Sequence, residues 1–173
     1  MLSKNYFIKK ILLVGIIILV VTLLLFPFIR KVIAKPNLTK IPMSYHTNII
    51  KDTQDNKNFR RVVFTGLKSQ LVIMSIPPGG EVGEETHKYT EQTLFFLSGT
   101  GEAVLDDQKS VINPGDVFVI VPGTKHNFIN TGTEDLKIYT TYAPPNHING
   151  RVQLTKADAD ADTADEAIGE VQN

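Results

Sequence analysis

The chain has no cysteine and no tryptophan in its 173 residues. The missing cysteine excludes disulfide scaffolds, Cys-ligated zinc and thiol nucleophiles. It leaves the compartment open, because a domain of this size can fold outside the cell without disulfides. An excess of positive charge is missing as well. Eighteen basic residues balance eighteen acidic ones, but that zero sums three unlike segments. Residues 1–35 carry six basic residues and no acid, residues 36–155 carry eleven basic against twelve acidic, and residues 156–173 carry one lysine and six acids. The balanced centre has no surplus charge to neutralise phosphates, which argues against nucleic acid as a partner. No Rossmann or P-loop glycine pattern follows a strand and opens a helix. No Ser-His-Asp or Cys-His order offers a nucleophile.

What is present begins with one long apolar run, residues 11–29, free of charge and broken only by Gly15, Thr22 and Pro27. At 1.5 Å per residue it matches the ~30 Å hydrocarbon core of a bilayer. It exceeds the apolar region of a cleaved signal peptide, and Arg30 and Lys31 stand where a cleavage region is uncharged. The expectation is therefore a short basic tail over 1–10, a single transmembrane helix over 11–29 with the lipid bilayer as partner, and a juxtamembrane linker over 30–57. Basic residues flank both ends, so the positive-inside rule is nearly balanced; the lean is to an exported globular part.

After Pro36 the texture becomes that of an all-β domain. Runs rich in β-branched and aromatic residues fall at 61–64, 69–76, 92–98, 102–105, 109–112, 117–121, 127–130 and 136–142, separated by clusters of Gly, Pro, Asn and Asp. Short strands at such spacing predict a sandwich or barrel. Two of the four histidines, His87 and His126, begin strand-like runs in the most turn-rich stretch. In an extended segment residues two apart share a face, so Glu85 points with His87, and Gln92 with Leu94 and Phe96. If both histidines point into a barrel, two imidazoles, a carboxylate and an amide oxygen can converge, a mixed N and O set suited to a first-row divalent metal. A packed or surface position is the competing reading for each histidine.

The stretch from Asn58 to Lys156 resembles a small single-domain cupin of the cupin-2 conserved barrel family, of the kind often labelled mannose-6-phosphate isomerase-like. Glu85, Thr86 and His87 stand where that family has His-x-His, and Gln92, seven before Gly99, stands at the usual Glu. Gly115, Pro122, His126 and Asn130 match the second motif, except that Pro122 and Gly123 adjoin where Pro-x-Gly is usual. The resemblance implies a double-stranded β-helix (cupin or jelly-roll barrel) over 58–155. It also implies a metal set of Glu85, His87, Gln92 and His126 holding Mn, Fe, Ni or Zn. Gln92 removes a charge that Glu85 restores, so the set keeps one formal negative charge. Glu91 competes with Gln92 if the register slips by one.

Phe96, Phe128 and Asn130 share parity with these donors and are expected to line a substrate pocket, with barrel core as the alternative for the two phenylalanines. Tyr139 and Tyr142 lie on opposite faces of one strand. His46 and His147 are expected to be exposed, and Arg60 and Arg61 to lie at the surface or hold an anion. Residues 156–173, rich in Asp and Ala, are expected to be a disordered acidic tail. Asp158, Asp160 and Asp162 mimic the opening of a calcium loop, but Thr163 and Gly169 break the pattern. The functional expectation is a metal-dependent cupin acting on a small polar metabolite such as a sugar or organic acid, isomerase-like or dioxygenase-like. The alternatives are a tethered module that binds or senses a small ligand without turnover, and a homodimer joined through exposed edge strands.

Overall fold

The computed structural model describes residues 44–171. The transmembrane helix expected over 11–29 lies outside them. Among the described residues no helix is long and apolar enough to cross a membrane.

A short helix, α1 (Ile49–Asp55), leads into the sheets; the Asn48 side chain caps it by accepting from the Lys51 N–H. Ten strands follow: β1 (Arg60–Thr65), β2 (Gln70–Ile76), β3 (Glu85–Thr86), β4 (Glu91–Ser98), β5 (Gly101–Leu105), β6 (Gln108–Ile112), β7 (Val117–Ile120), β8 (Lys125–Asn130), β9 (Leu136–Ala143) and β10 (Val152–Gln153). Every expected strand is present. The two-residue strands β3 and β10, too short to carry an alternating pattern, are additions. The strands form a six-stranded sheet in the order β10-β1-β2-β9-β4-β7 and a four-stranded sheet in the order β3-β8-β5-β6.

Register explains the core. Opposed residues on neighbouring strands share a face, and the inward rows of the larger sheet read Val62, Val72, Thr140, Leu94, Phe118 and Arg60, Met74, Ile138, Phe96. Ala103, Ile112 and Phe128 of the smaller sheet join the same apolar cluster. A third row, Gln70, Tyr142, Gln92 and Ile120, is also buried but mostly polar, and it lies toward the functional end. The β5–β6 hairpin turns on Asp106 and Asp107, both at positive φ, which matches the twist of a two-residue hairpin.

Gly101 marks the tightest approach of the two strands β5 and β8. A Cβ there would lie 2.4 Å from the Ile129 carbonyl oxygen, a backbone atom that cannot swing aside. Gly101→Ala is expected to destabilise the protein by about 2 kcal/mol. Urea unfolding should show a lower midpoint at unchanged slope; an unchanged midpoint would contradict the contact.

Residues 156–171 are not the disordered tail expected of them. They form α2 (Lys156–Asp160) and α3 (Thr163–Val171). Thr155 and Asp158 close a capping box on α2, and Ala159 is buried in the core. Asp162 is spent on the barrel, pairing with Arg151 at 3.0 Å and accepting from Gln153, while Asp160 pairs with Lys156 one turn back on α2. Composition suggested solvation, whereas the barrel supplies partners for Asp162 and the helix itself one for Asp160.

Candidate metal centre

β3 and β8 pair antiparallel with Glu85 opposite His126, so their side chains emerge side by side. The turn before β8 fixes the second of these: Thr124 N–H donates to the Val121 carbonyl, and Gly123 N–H donates to the His87 carbonyl at 2.8 Å. That bond ties the start of β8 to the residue just beyond β3. Glu85 Oε2 then lies 3.4 Å from His87 Nε2 and 3.9 Å from His126 Nε2. One donor atom from each of the three residues falls within 4.8 Å of the others.

Each of these atoms is buried without a hydrogen-bond partner among the described residues, and so is Gln92 Oε1 from the opposite sheet. Leaving one polar atom in that condition costs about 1–3 kcal/mol. Three such atoms gathered in one place, with a fourth on the facing sheet, fit a cation by donor type: two imidazole nitrogens, a carboxylate oxygen and an amide oxygen. Gln92 is buried and Glu91 is exposed, so the strand is not slipped by one.

The surrounding groups set the donors' states. His126 Nδ1 lies 2.9 Å from the Thr124 carbonyl oxygen and donates its proton there, which leaves Nε2 as the lone pair. Burial pushes the His126 imidazole down, against the Thr124 bond and Glu85, so it stays neutral. The Asn146 Nδ2 amide lies 3.5 Å from His87 Nδ1. Arg60 is not a surface residue: it is buried, and its Nη2 donates to Glu85 Oε1 at 2.9 Å while Nη1 donates to Gln153 Oε1 at 3.4 Å. Burial pushes the Glu85 carboxyl up, but His87 and Arg60 outweigh it and hold the group at about 2. One carboxylate oxygen is thus clamped and the other left for the centre.

Two of the donors, Glu85 and His87, open onto a cavity of about 650 Å³ whose walls also include Arg60, Lys88, His147 and the α2–α3 residues Asp160, Asp165 and Glu166. Phe96, Phe128 and Asn130 do not line it. Both phenylalanines are core residues, ring centres 5.3 Å apart. The Asn130 amide is consumed by the Ile76 and Glu134 carbonyls and the Gly132 N–H. Parity placed them on the inner face correctly but says nothing of depth along the barrel. Tyr139 stacks on Phe95 outside, whereas Tyr142 is fully buried. His147, expected to be exposed, is buried against Asp165. The sequence did carry a signal for Arg60, two residues before the core Val62 on the same strand face; for His147 and Asp165 it carried none.

Two antiparallel sheets closed around an apolar core, with histidines and a carboxylate gathered at one end, define a double-stranded β-helix barrel with a candidate metal centre. Residues 72–142 match the Cupin domain family. The uncharacterized protein YrkC of Bacillus subtilis (strain 168) is 40% identical over 124 residues, 68% of this chain and 67% of that protein. The uncharacterized protein L612 of Acanthamoeba polyphaga mimivirus is 34% identical over 116 residues, 65% of this chain and 72% of that protein. The crystal structure of BH2720 from Bacillus halodurans superimposes with a TM-score of 0.68 at 36% identity, covering 69% of this chain and 96% of that one. The chain belongs to the cupin family.

Proposed function

We propose that this cupin is a metal-dependent protein acting on a small polar metabolite of the sugar or organic acid class, its barrel tethered to a bilayer by residues 11–29. The observation that carries the metal-dependent reading is the set of converging, buried donor atoms that lack hydrogen-bond partners among the described residues. Glu85 Oε2, His87 Nε2, Gln92 Oε1 and His126 Nε2 would hold a divalent first-row cation. Bound there, such an ion supplies charge that polarises a carbonyl or hydroxyl oxygen. The protein's own part is to hold Glu85 ionised through Arg60, keep His126 neutral, and enclose the ligand in a cavity of the size that small-molecule sites use. The apolar, charge-free run over 11–29 supports the tether.

Elemental analysis of the purified full chain tests the centre. About one metal ion per chain is expected in the wild type. His87→Ala and His126→Ala should each weaken affinity more than about 100-fold, because even a residue that only supports a ligand is worth 10–100-fold. A metal-free wild type whose stability neither substitution changes would sink the proposal.

A further inference from the structure

The cavity has a second wall, and that wall carries a group the metal donors do not use. His147 follows β9, and its backbone is pinned on both sides by Gln70: its N–H donates to Gln70 Oε1 at 2.9 Å, and its carbonyl accepts from Gln70 Nε2 at 2.8 Å. Its Nδ1 lies 2.8 Å from Asp165 Oδ2 on α3, and the other Asp165 oxygen accepts from the Ile148 N–H at 2.7 Å. Asp165 is itself buried, so this carboxylate is built into the site. Burial pushes the Asp165 carboxyl up, but His147 and the Ile148 N–H outweigh it and keep it low. Burial pushes His147 down further than Asp165 raises it. The pair is therefore a neutral imidazole beside a carboxylate, with the ring proton on Nδ1.

That arrangement leaves His147 Nε2 as a bare acceptor. It is buried, has no hydrogen-bond partner among the described residues, and belongs to a side chain only 6% exposed that lines the cavity with Glu85 and His87. The Tyr142 ring stands edge-on to both histidines, 4.9 Å from His147 and 5.7 Å from His87, so the acceptor sits one aromatic ring from the metal donors.

We propose that His147 is the proton acceptor of this cavity, that Asp165 is its positioning residue, and that the ligand carries an ionisable hydroxyl next to a metal-binding oxygen. This rests on the metal-dependent reading for the place of the ligand. In the step, the ligand's O–H bond breaks, its electron pair stays on oxygen, and the proton forms the N–H bond at Nε2. The resulting imidazolium is held by the Asp165 carboxylate, which does not itself take the proton.

The test uses the purified full chain loaded with zinc and probed with acetohydroxamic acid, which binds a metal through two oxygens and gives up one proton as it does so. Calorimetry in buffers of different ionisation enthalpy counts the protons released. The wild type should keep the proton, and His147→Gln should release about one more per site. Asp165→Asn supplies a readout that a merely structural role would not move. An amide N–H facing Nδ1 forces the ring proton to Nε2, so the imidazole nitrogen-15 pattern inverts and the extra proton is again released. Equal release from wild type and His147→Gln, with zinc bound in both, overturns the assignment of His147 and leaves the metal centre standing. Loss of zinc from both variants, or a zinc-loaded wild type that does not bind the probe, also overturns it. A wild type that takes up no zinc overturns the metal centre and this ligand site together.

Discussion

Arg60→Ala should destabilise the metal-free protein by about 3 kcal/mol. Breaking a buried ion pair by removing one partner costs roughly 3–5 kcal/mol, because the other charge is left uncompensated. The low end applies because the Glu85 side chain keeps 23% of its surface exposed while that of Arg60 keeps 9%. Acid sensitivity should change with it. The Glu85 carboxyl sits at about 2 in the folded chain against an ordinary 4.5, so its stabilising effect is complete above about pH 4.5 and is lost as pH falls toward 2. Without Arg60 the folded value rises, and acid unfolding should begin at higher pH. Metal affinity should also fall by about 10–100-fold, because Glu85 Oε1 loses its clamp. Arg60→Lys should recover only part of this, since an ammonium cannot reach Glu85 and Gln153 with one planar fork. Urea unfolding and circular dichroism against pH measure the first two effects, and an unchanged acid midpoint would refute the clamp.

Phe128→Ala should cost about 3–4 kcal/mol while leaving metal bound. The ring is fully buried between Phe96 and Phe118, at 5.3 and 5.5 Å, and removing a packed phenylalanine leaves a cavity its neighbours fill only in part. Its centre is 6.0 Å from the His126 ring, close enough to support that ring but not to contact a ligand in the cavity. Metal stoichiometry should stay at about one per chain when measured well below the unfolding midpoint. Unchanged stability with lost ligand binding would return Phe128 to the pocket wall.

The barrel was legible because its signals are local. Alternation along 70–76 and 92–98, and turns such as the one at Pro122 and Gly123, depend on neighbouring residues alone; the candidate set of Glu85, His87, Gln92 and His126 came from parity together with the resemblance to the cupin motifs, and the fold gathers Glu85, His87 and His126. The groups that tune the site were not legible in this way. Arg60 meets Glu85 across 25 positions, Gln70 holds His147 across 77, and His147 meets Asp165 across 18. None of those distances has a period to read. The acidic C-terminal segment misled for a related reason: its carboxylates looked solvent-bound because the residues that pair with two of them, Arg151 with Asp162 and His147 with Asp165, lie outside the segment.

The pairing of β1 with β10 has a consequence for how the molecule is made. Arg60 opposes Gln153 in register and shares a hydrogen bond with it, so an early strand waits for one synthesised 93 positions later. Chain emerges from the ribosome N-terminus first, and pairing across so long a separation is slow to form. A nascent chain stopped before residue 152 can bring Glu85 beside His126, but it lacks both the Gln153 contact that steadies the Arg60 clamp and the α3 carboxylate that orients His147. The Glu85 clamp and the orientation of His147 are therefore completed only once residues 152–165 have been made.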